Sequence, residues 1–193
     1  GWQATPTFSY EMDLHSLEQA WAAMDGDRRR LVRRAERLGY CVIEHRHTFG
    51  DATLAVDELI RLHAAQQHAY GPVTPPSRTA MLHIVNELLR SECGRLFIAR
   101  DGDGSAVAMQ LVVVWGNRAA NLFTGSSPAD AKRGANTLLR WTAASHLHDE
   151  GVVRLDLNGA RPGAAGRFKA SLGAELVPRW DLHRPDQRPV ALL

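Results

Sequence analysis

Lysine is nearly excluded from this chain. Lys132 and Lys169 are its only two, and the remaining strongly basic side chains are all arginine. Lys169 lies in "GRFKASLG" (166–173), directly after Phe168 and flanked by glycines. An ammonium is a compact point charge that can press on one oxygen, whereas a guanidinium prefers a planar fork, so the exception points to a task that arginine would do badly. The plain alternative is a solvated helix charge. Asp156 is the second candidate. It stands between Leu155 and Leu157 in "RLDLNG", towards the C-terminal end of a strand-like run, where open α/β sheets hold their ligands. A carboxylate there can take or orient a proton, or it can simply brace loop amides. Asn158 and Gly159 follow it into the same region. The third candidate is a stripe. Arg30, Arg33, Arg34 and Arg37 fall at i, i+3, i+4 and i+7, so they share one helix face, with Leu31, Ala35 and Leu38 on another. Only Asp27 and Glu36 are near enough to neutralise it. Such a stripe is an electrostatic footprint for phosphate, although many such runs are solvated faces. Lys132, Arg133 and Arg140 are expected to extend the same surface.

Other chemistry-bearing residues carry less. His45 and His47 point to one side of a strand, but no further ligand shows matching spacing, so no metal site is expected. His146 and His148 are two apart on a helix and do not share a face. Trp115, Trp141 and Trp180 read as core or rim aromatics, any of which could stack on a base. There is no Ser/His/Asp arrangement and no Walker loop.

The elements that must position these residues can be read from periodicity and punctuation. Residues 16–24 form a short helix, and "DRRRLVRRAERLGY" a second, with Asp27 as cap and Gly39 as stop. "CVIEHR" is a strand. A helix capped by Asp51 runs to "GPVTPP", and "PSRTAMLHIVNELLR" makes another. Then come the strands "RLFIARD", "SAVAMQLVVVWG" and "RAANLFTG", joined by turns at "GDG" and Gly116-Asn117. Ser127 caps the next helix, with Pro128 at its first position and Asp130 at its positive end. This helix is expected to run unbroken to Gly151. "VVRLDLNG" is a buried-type strand, "GRFKASLG" a short helix and "AELVPRWDLHR" the last strand. No element is assigned before Ser16. The result is an α/β mixed sheet, an antiparallel meander joined to a β-α-β crossover, with flanking helices.

The chain of 193 residues suits one domain, residues 1–193. Apolar and charged contents of 45% and 23% are ordinary for a globular protein, and a net charge of +2 makes any basic surface local. Cys41 and Cys93 stand alone, without a CxxC pair, which argues against a disulfide framework or a cysteine zinc site. The longest apolar run is too short to span a bilayer. A cytoplasmic protein without membrane attachment is expected.

The order of elements and four motifs resemble the GNAT acyltransferase superfamily, and within it the second GNAT-like domain of the FemAB/FemX-like aminoacyltransferases. These motifs are "DRRRLVRRAERLGYCV", the meander ending in Gly125-Ser126-Ser127-Pro128, "RGANTLLRWTAASHLHDEGVVRLDLNG" and "RFKASLGAELV", in which Leu172 stands where the family usually has Phe. The resemblance implies transfer of a small amino acid, alanine being the best guess, from aminoacyl-tRNA to an amino group of a peptide or peptide-antibiotic intermediate, free or carrier-bound. It implies no cofactor and no metal. It makes Lys169 the cation beside the tetrahedral oxyanion, Asp156 the handler of the amine proton, and Phe168, Lys132, Arg133, Gly134, Asn136 and Asn158 the donor-binding set. Arg30, Arg33, Arg34 and Arg37 would hold the tRNA backbone. Acetyl-CoA enzymes of the superfamily show [QR]-x-x-G-x-[GA] at the central helix. Here Ala131 and Asn136 break that pattern around Gly134. An acyl-CoA donor, and a non-catalytic RNA- or partner-binding role, stay open as alternatives.

Overall fold

The computed structural model describes residues 2–46, 52–70, 77–160 and 163–183. The Asp51 cap, the "GPVTPP" break and His47 lie outside them. Seven strands form one sheet: β1 (Gln3–Asp13), β2 (Cys41–His45), β3 (Gly94–Arg100), β4 (Ala106–Trp115), β5 (Arg118–Ser126), β6 (Arg154–Asp156) and β7 (Glu175–His183), in the order β2-β3-β4-β5-β6-β1-β7. The meander β2 to β5 is antiparallel, β5 and β6 are parallel, and β1 pairs antiparallel with both β6 and β7. The expected mixed sheet is therefore present.

Two helical layers bury its faces. α3 (Ala52–Tyr70) and α4 (Arg78–Arg90) cover one face, closing a core of Leu59, Leu62, Met81 and Val85 on Leu96, Met109 and Phe123. α2 (Gly26–Arg37), α6 (Ala135–Asp149) and α1 (Leu17–Ala23) build the other, around Val32, Leu139, Ala143, Phe97 and Leu155. The short helices α5 (Pro128–Arg133) and α7 (Ala164–Ser171) complete the set.

Four local expectations change. β1 is not predicted, because Pro6 falls between Thr5 and Thr7 in its first half and its partners lie far away in sequence. Its period of two is nonetheless regular. Ala4, Pro6, Phe8 and Tyr10 stand opposite Leu182, Trp180, Pro178 and Leu176 on one face, and Phe8, Trp180 and Leu182 are exposed there. The helix α2 starts at Gly26 after Asp25, whose side chain makes no capping bond. Asp27 lies inside the first turn, where a carboxylate favours the positive helix end. The buried face of α2 is Val32 and Ala35, and Leu38 is exposed at the turn into Gly39. Both cysteines are also exposed, Cys41 although Tyr40 and Val42 flank it.

The fourth change matters most for function. The helix after Ser127 is two helices, α5 and α6, broken at Gly134, whose φ is +106°. A β-carbon at Gly134 would run into the Leu31 carbonyl and crowd Ala35. Here α2 crosses so closely that only glycine fits, in a conformation that glycine adopts freely. Gly134→Ala combines backbone strain with overpacking and should cost about 2–4 kcal/mol. Thermal melts should read this as a fall of roughly 5–15 °C.

Candidate active site in the wedge between two parallel strands

β5 and β6 are paired only through Arg118–Arg154, Ala119–Leu155 and Ala120–Asp156. Beyond that point β5 continues to Ser126, while the chain after Asp156 stays with β1. The Leu157 amide donates to the Tyr10 carbonyl at 2.8 Å, and the Ala160 amide to that of Phe8 at 2.9 Å. Two parallel strands that part in this way open a wedge at their C-terminal ends, where α/β folds bind ligands.

Asp156 and Lys169 meet on the loop at the edge of this wedge. Asp156 Oδ1 accepts from the Ser9 hydroxyl and from the Asn158 amide, the latter at 2.6 Å. Its Oδ2 faces Arg179 Nη1 at 3.4 Å. Asn158 holds a positive φ of 65°, a conformation that asparagine tolerates better than most residues. Its side-chain oxygen accepts from the Gly159 amide at 2.8 Å. Lys169 reaches the loop from α7. Its Nζ donates to the Asn158 carbonyl and, at 2.8 Å, to that of Gly159. The sequence-chosen lysine and aspartate thus grip opposite polarities of one tight loop, the aspartate its amide and the lysine its carbonyls.

Phe168 is half-buried against the core. The Arg28 guanidinium lies 4.9 Å from its ring centroid, and Arg28 Nε donates to Ser171 Oγ at 2.8 Å. The first turn of α2 therefore braces the helix that carries Lys169. On the outer side of α2, Arg30, Arg33, Arg34 and Arg37 are all exposed. Arg30 pairs with Asp27, and Arg33 lies over the Trp21 ring at 5.7 Å. Arg34 and Arg37 have no acidic partner among the described residues. Lys132 and Arg133 are exposed at the end of α5.

Gly134 and Asn136 do not line an open cradle. Both are buried, Gly134 directly against the Leu31 carbonyl of α2. Arg140 also departs from expectation. It is 7% exposed, because α6 is enclosed by the sheet and α2, and so it cannot extend the basic surface. Burial pulls its pKa down to about 10. His146 and His148 point apart, to Glu44 Oε2 at 2.9 Å and the Leu14 carbonyl at 2.6 Å. Among the described residues there is no cluster that could hold a metal ion, and no helix is long and apolar enough to cross a membrane. Trp115 and Trp180 are exposed, while Trp141 packs on Trp21 with ring centroids 4.7 Å apart. Ser9 and Arg179 escaped the sequence reading, although both fall on the polar positions of regularly alternating strands.

The parallel pair splays after the meander, and α6 lies between its two strands in the chain. The chain belongs to the acetyltransferase (GNAT) domain family, whose model matches residues 26–170. No curated protein sequence matches it. Among solved structures it is similar in fold to FemX, at 12% identity and a TM-score of 0.71, over 88% of this chain and 59% of that one. It is also similar to L-PGS from Bacillus licheniformis, at 12% identity and a TM-score of 0.66, over 100% of this chain and 65% of that one. A tandem GNAT protein from the clavulanic acid biosynthesis pathway matches at 19% identity with a TM-score of 0.55, over 92% of this chain and 51% of that one. The resemblance to the Fem-like fold drawn from the sequence holds at the level of the fold. The chain spans only one half to two thirds of the length of these structures.

Proposed function

We propose that this chain is an acyltransferase that moves a small amino acid, alanine as first choice, from aminoacyl-tRNA to the amino group of a peptide or peptide-antibiotic intermediate. The amine attacks the ester carbonyl. The C–N bond forms, the ester C–O bond breaks, and one amine proton ends on the departing ribose hydroxyl. In this reaction Lys169 exchanges a loop carbonyl for the developing oxyanion, and Asp156 positions the Asn158 loop and receives or relays the proton. Phe168 and Asn158 line the donor end. The exposed arginines of α2, continued by Lys132 and Arg133, hold the tRNA backbone.

The observation that carries this reading is the closure of the Gly134 turn. An acyl-CoA donor is commonly cradled by amides at the start of the central helix. Here α2 packs its Leu31 carbonyl onto that turn, which puts an oxygen, not an anion, against it. The second reading, an acyl-CoA N-acyltransferase, draws on the acetyltransferase family to which the chain belongs and on its similarity to a tandem GNAT protein. Radiolabelled alanyl-tRNA and acetyl-CoA, each incubated with the protein and a panel of small amines and peptides, separate the two. Label should pass from the tRNA. Consumption of acetyl-CoA alone would reverse the assignment.

Asp156→Asn provides a finer check. Loss of the carboxylate should lower turnover with little loss of folding, because an amide oxygen can still accept from Ser9 and from the Asn158 amide but cannot take the amine proton. Unchanged turnover would leave Asp156 a purely positioning residue for the Asn158 loop.

A further inference from the structure

α6 carries a positive charge into the protein interior with no counter-charge among the described residues. Arg140 Nη2 donates to Thr124 Oγ1 at 2.7 Å, and Thr124 donates in turn to Asn121 Oδ1 at 3.1 Å. Among the described residues, Arg140 Nε and Nη1 are buried without a hydrogen-bond partner. No carboxylate among the described residues pairs with this guanidinium, and only burial acts on it. Around it, again among the described residues, the same deficiency recurs. Gln110, directly across the ladder from Thr124, is 0% exposed, and both its amide oxygen and its amide nitrogen lack partners. Asn136, one turn before Arg140 on α6, is 9% exposed and has an unpartnered Oδ1. Native interiors rarely leave so many polar atoms unsatisfied in one place, and an unpaired buried charge is costlier still.

The location is informative. Thr124 and Asn121 belong to the length of β5 that has parted from β6, so the guanidinium bonded to Thr124 lies where the wedge opens, with Gln110 one strand further in. We propose that Arg140, with Gln110, Thr124 and Asn136, is the recognition site for a carboxylate borne by the substrate that enters this wedge, most simply the acceptor. The proposal rests on the wedge being the substrate cleft, as the proposed function has it. A single negative charge balances the lone guanidinium, and the other walls are neutral. A phosphate dianion would leave an excess charge buried, which is unfavourable. The amide oxygens of Gln110 and Asn136 are acceptors, suited to N–H groups beside that carboxylate. The substrate class is therefore an amino acid or a peptide end that carries both groups.

The test needs neither tRNA nor CoA, so its outcome is independent of the donor assignment. In the wild-type protein the Arg140 Nε–H resonance, identified by its loss in Arg140→Lys, is followed by NMR at constant ionic strength. Acetate should shift it saturably in the millimolar range, with chloride inert. Methyl phosphate, a dianion at about pH 8, should bind more weakly or not at all, because its second charge would be buried without a partner. No saturable response to acetate overturns the proposal, and a response to methyl phosphate as strong as that to acetate, or stronger, overturns its carboxylate assignment. Arg140→Met supplies an independent reading. Removal of an unpaired buried charge should leave the melting temperature equal or higher, with acetate no longer raising it. A large fall in melting temperature would mean that Arg140 holds the fold together and not a ligand.

Discussion

Lys169→Ala should lower turnover with the true donor by roughly a hundred- to a thousandfold, the usual consequence of deleting one oxyanion donor. The protein should stay folded. Lys169 is only part-buried and lies on a short helix whose core contacts come from other residues, Phe168 and Leu172 among them. Lys169→Arg should recover little. A guanidinium is broad and planar, and two carbonyls one residue apart are gripped here by one compact ammonium. Circular dichroism with single-turnover kinetics on both variants distinguishes chemistry from folding. An alanine variant with wild-type turnover would remove Lys169 from the mechanism, and an unfolded one would make it a structural clamp on the Asn158–Gly159 loop.

Neutralising the arginine face of α2 should weaken donor binding through counterion release. Each of Arg30, Arg33, Arg34 and Arg37 that contacts a phosphate should, when changed to Gln, make the log–log salt slope shallower by about 0.7–0.9, and the fourfold variant by roughly three. Arg30 should show the smallest single effect, because it already pairs with Asp27. Arg34 and Arg37, without an acid to release, should show the largest. The amino acid on the tRNA should hardly change these losses, since phosphate contacts position and do not specify. Anisotropy titrations with charged tRNA at several salt concentrations are the measurement. A flat salt response, or four neutral variants, would leave the stripe a solvated face.

Much of this architecture was legible because it is local. The "GDG" turn, the Ser127-Pro128-x-Asp130 helix start and the β4–β5 hairpin around Gly116-Asn117 depend on neighbours in sequence, and the structure keeps them. Lys169 and Asp156 were legible as unusual residues in unusual places, and the fold brings both to one loop. The rest depends on partners that no local window contains. Gly134 reads as a donor-binding residue within one unbroken helix until α2 is laid against it. Arg140 reads as a surface charge, since periodicity on a helix enclosed on several sides no longer marks an outer face. Ser9 could not be placed beside Asp156 while its strand was unassigned.

The position of β1 has a consequence for how the molecule assembles. Residues near one end of the sequence form a strand between β6 and β7, with Gln3 opposite His183 and Glu11 opposite Asp156. These pairings close loops of more than a hundred residues, and such contacts form late because chain entropy must be lost before they bring any gain. The meander and its two covering helices can collapse first on short-range contacts. The Asn158 loop acquires the Ser9 hydrogen bond and its backbone bonds to β1 only when this last strand is zipped in. Amide exchange should therefore find the wedge maturing after the meander, so that the capacity for chemistry arrives with the closing step of folding.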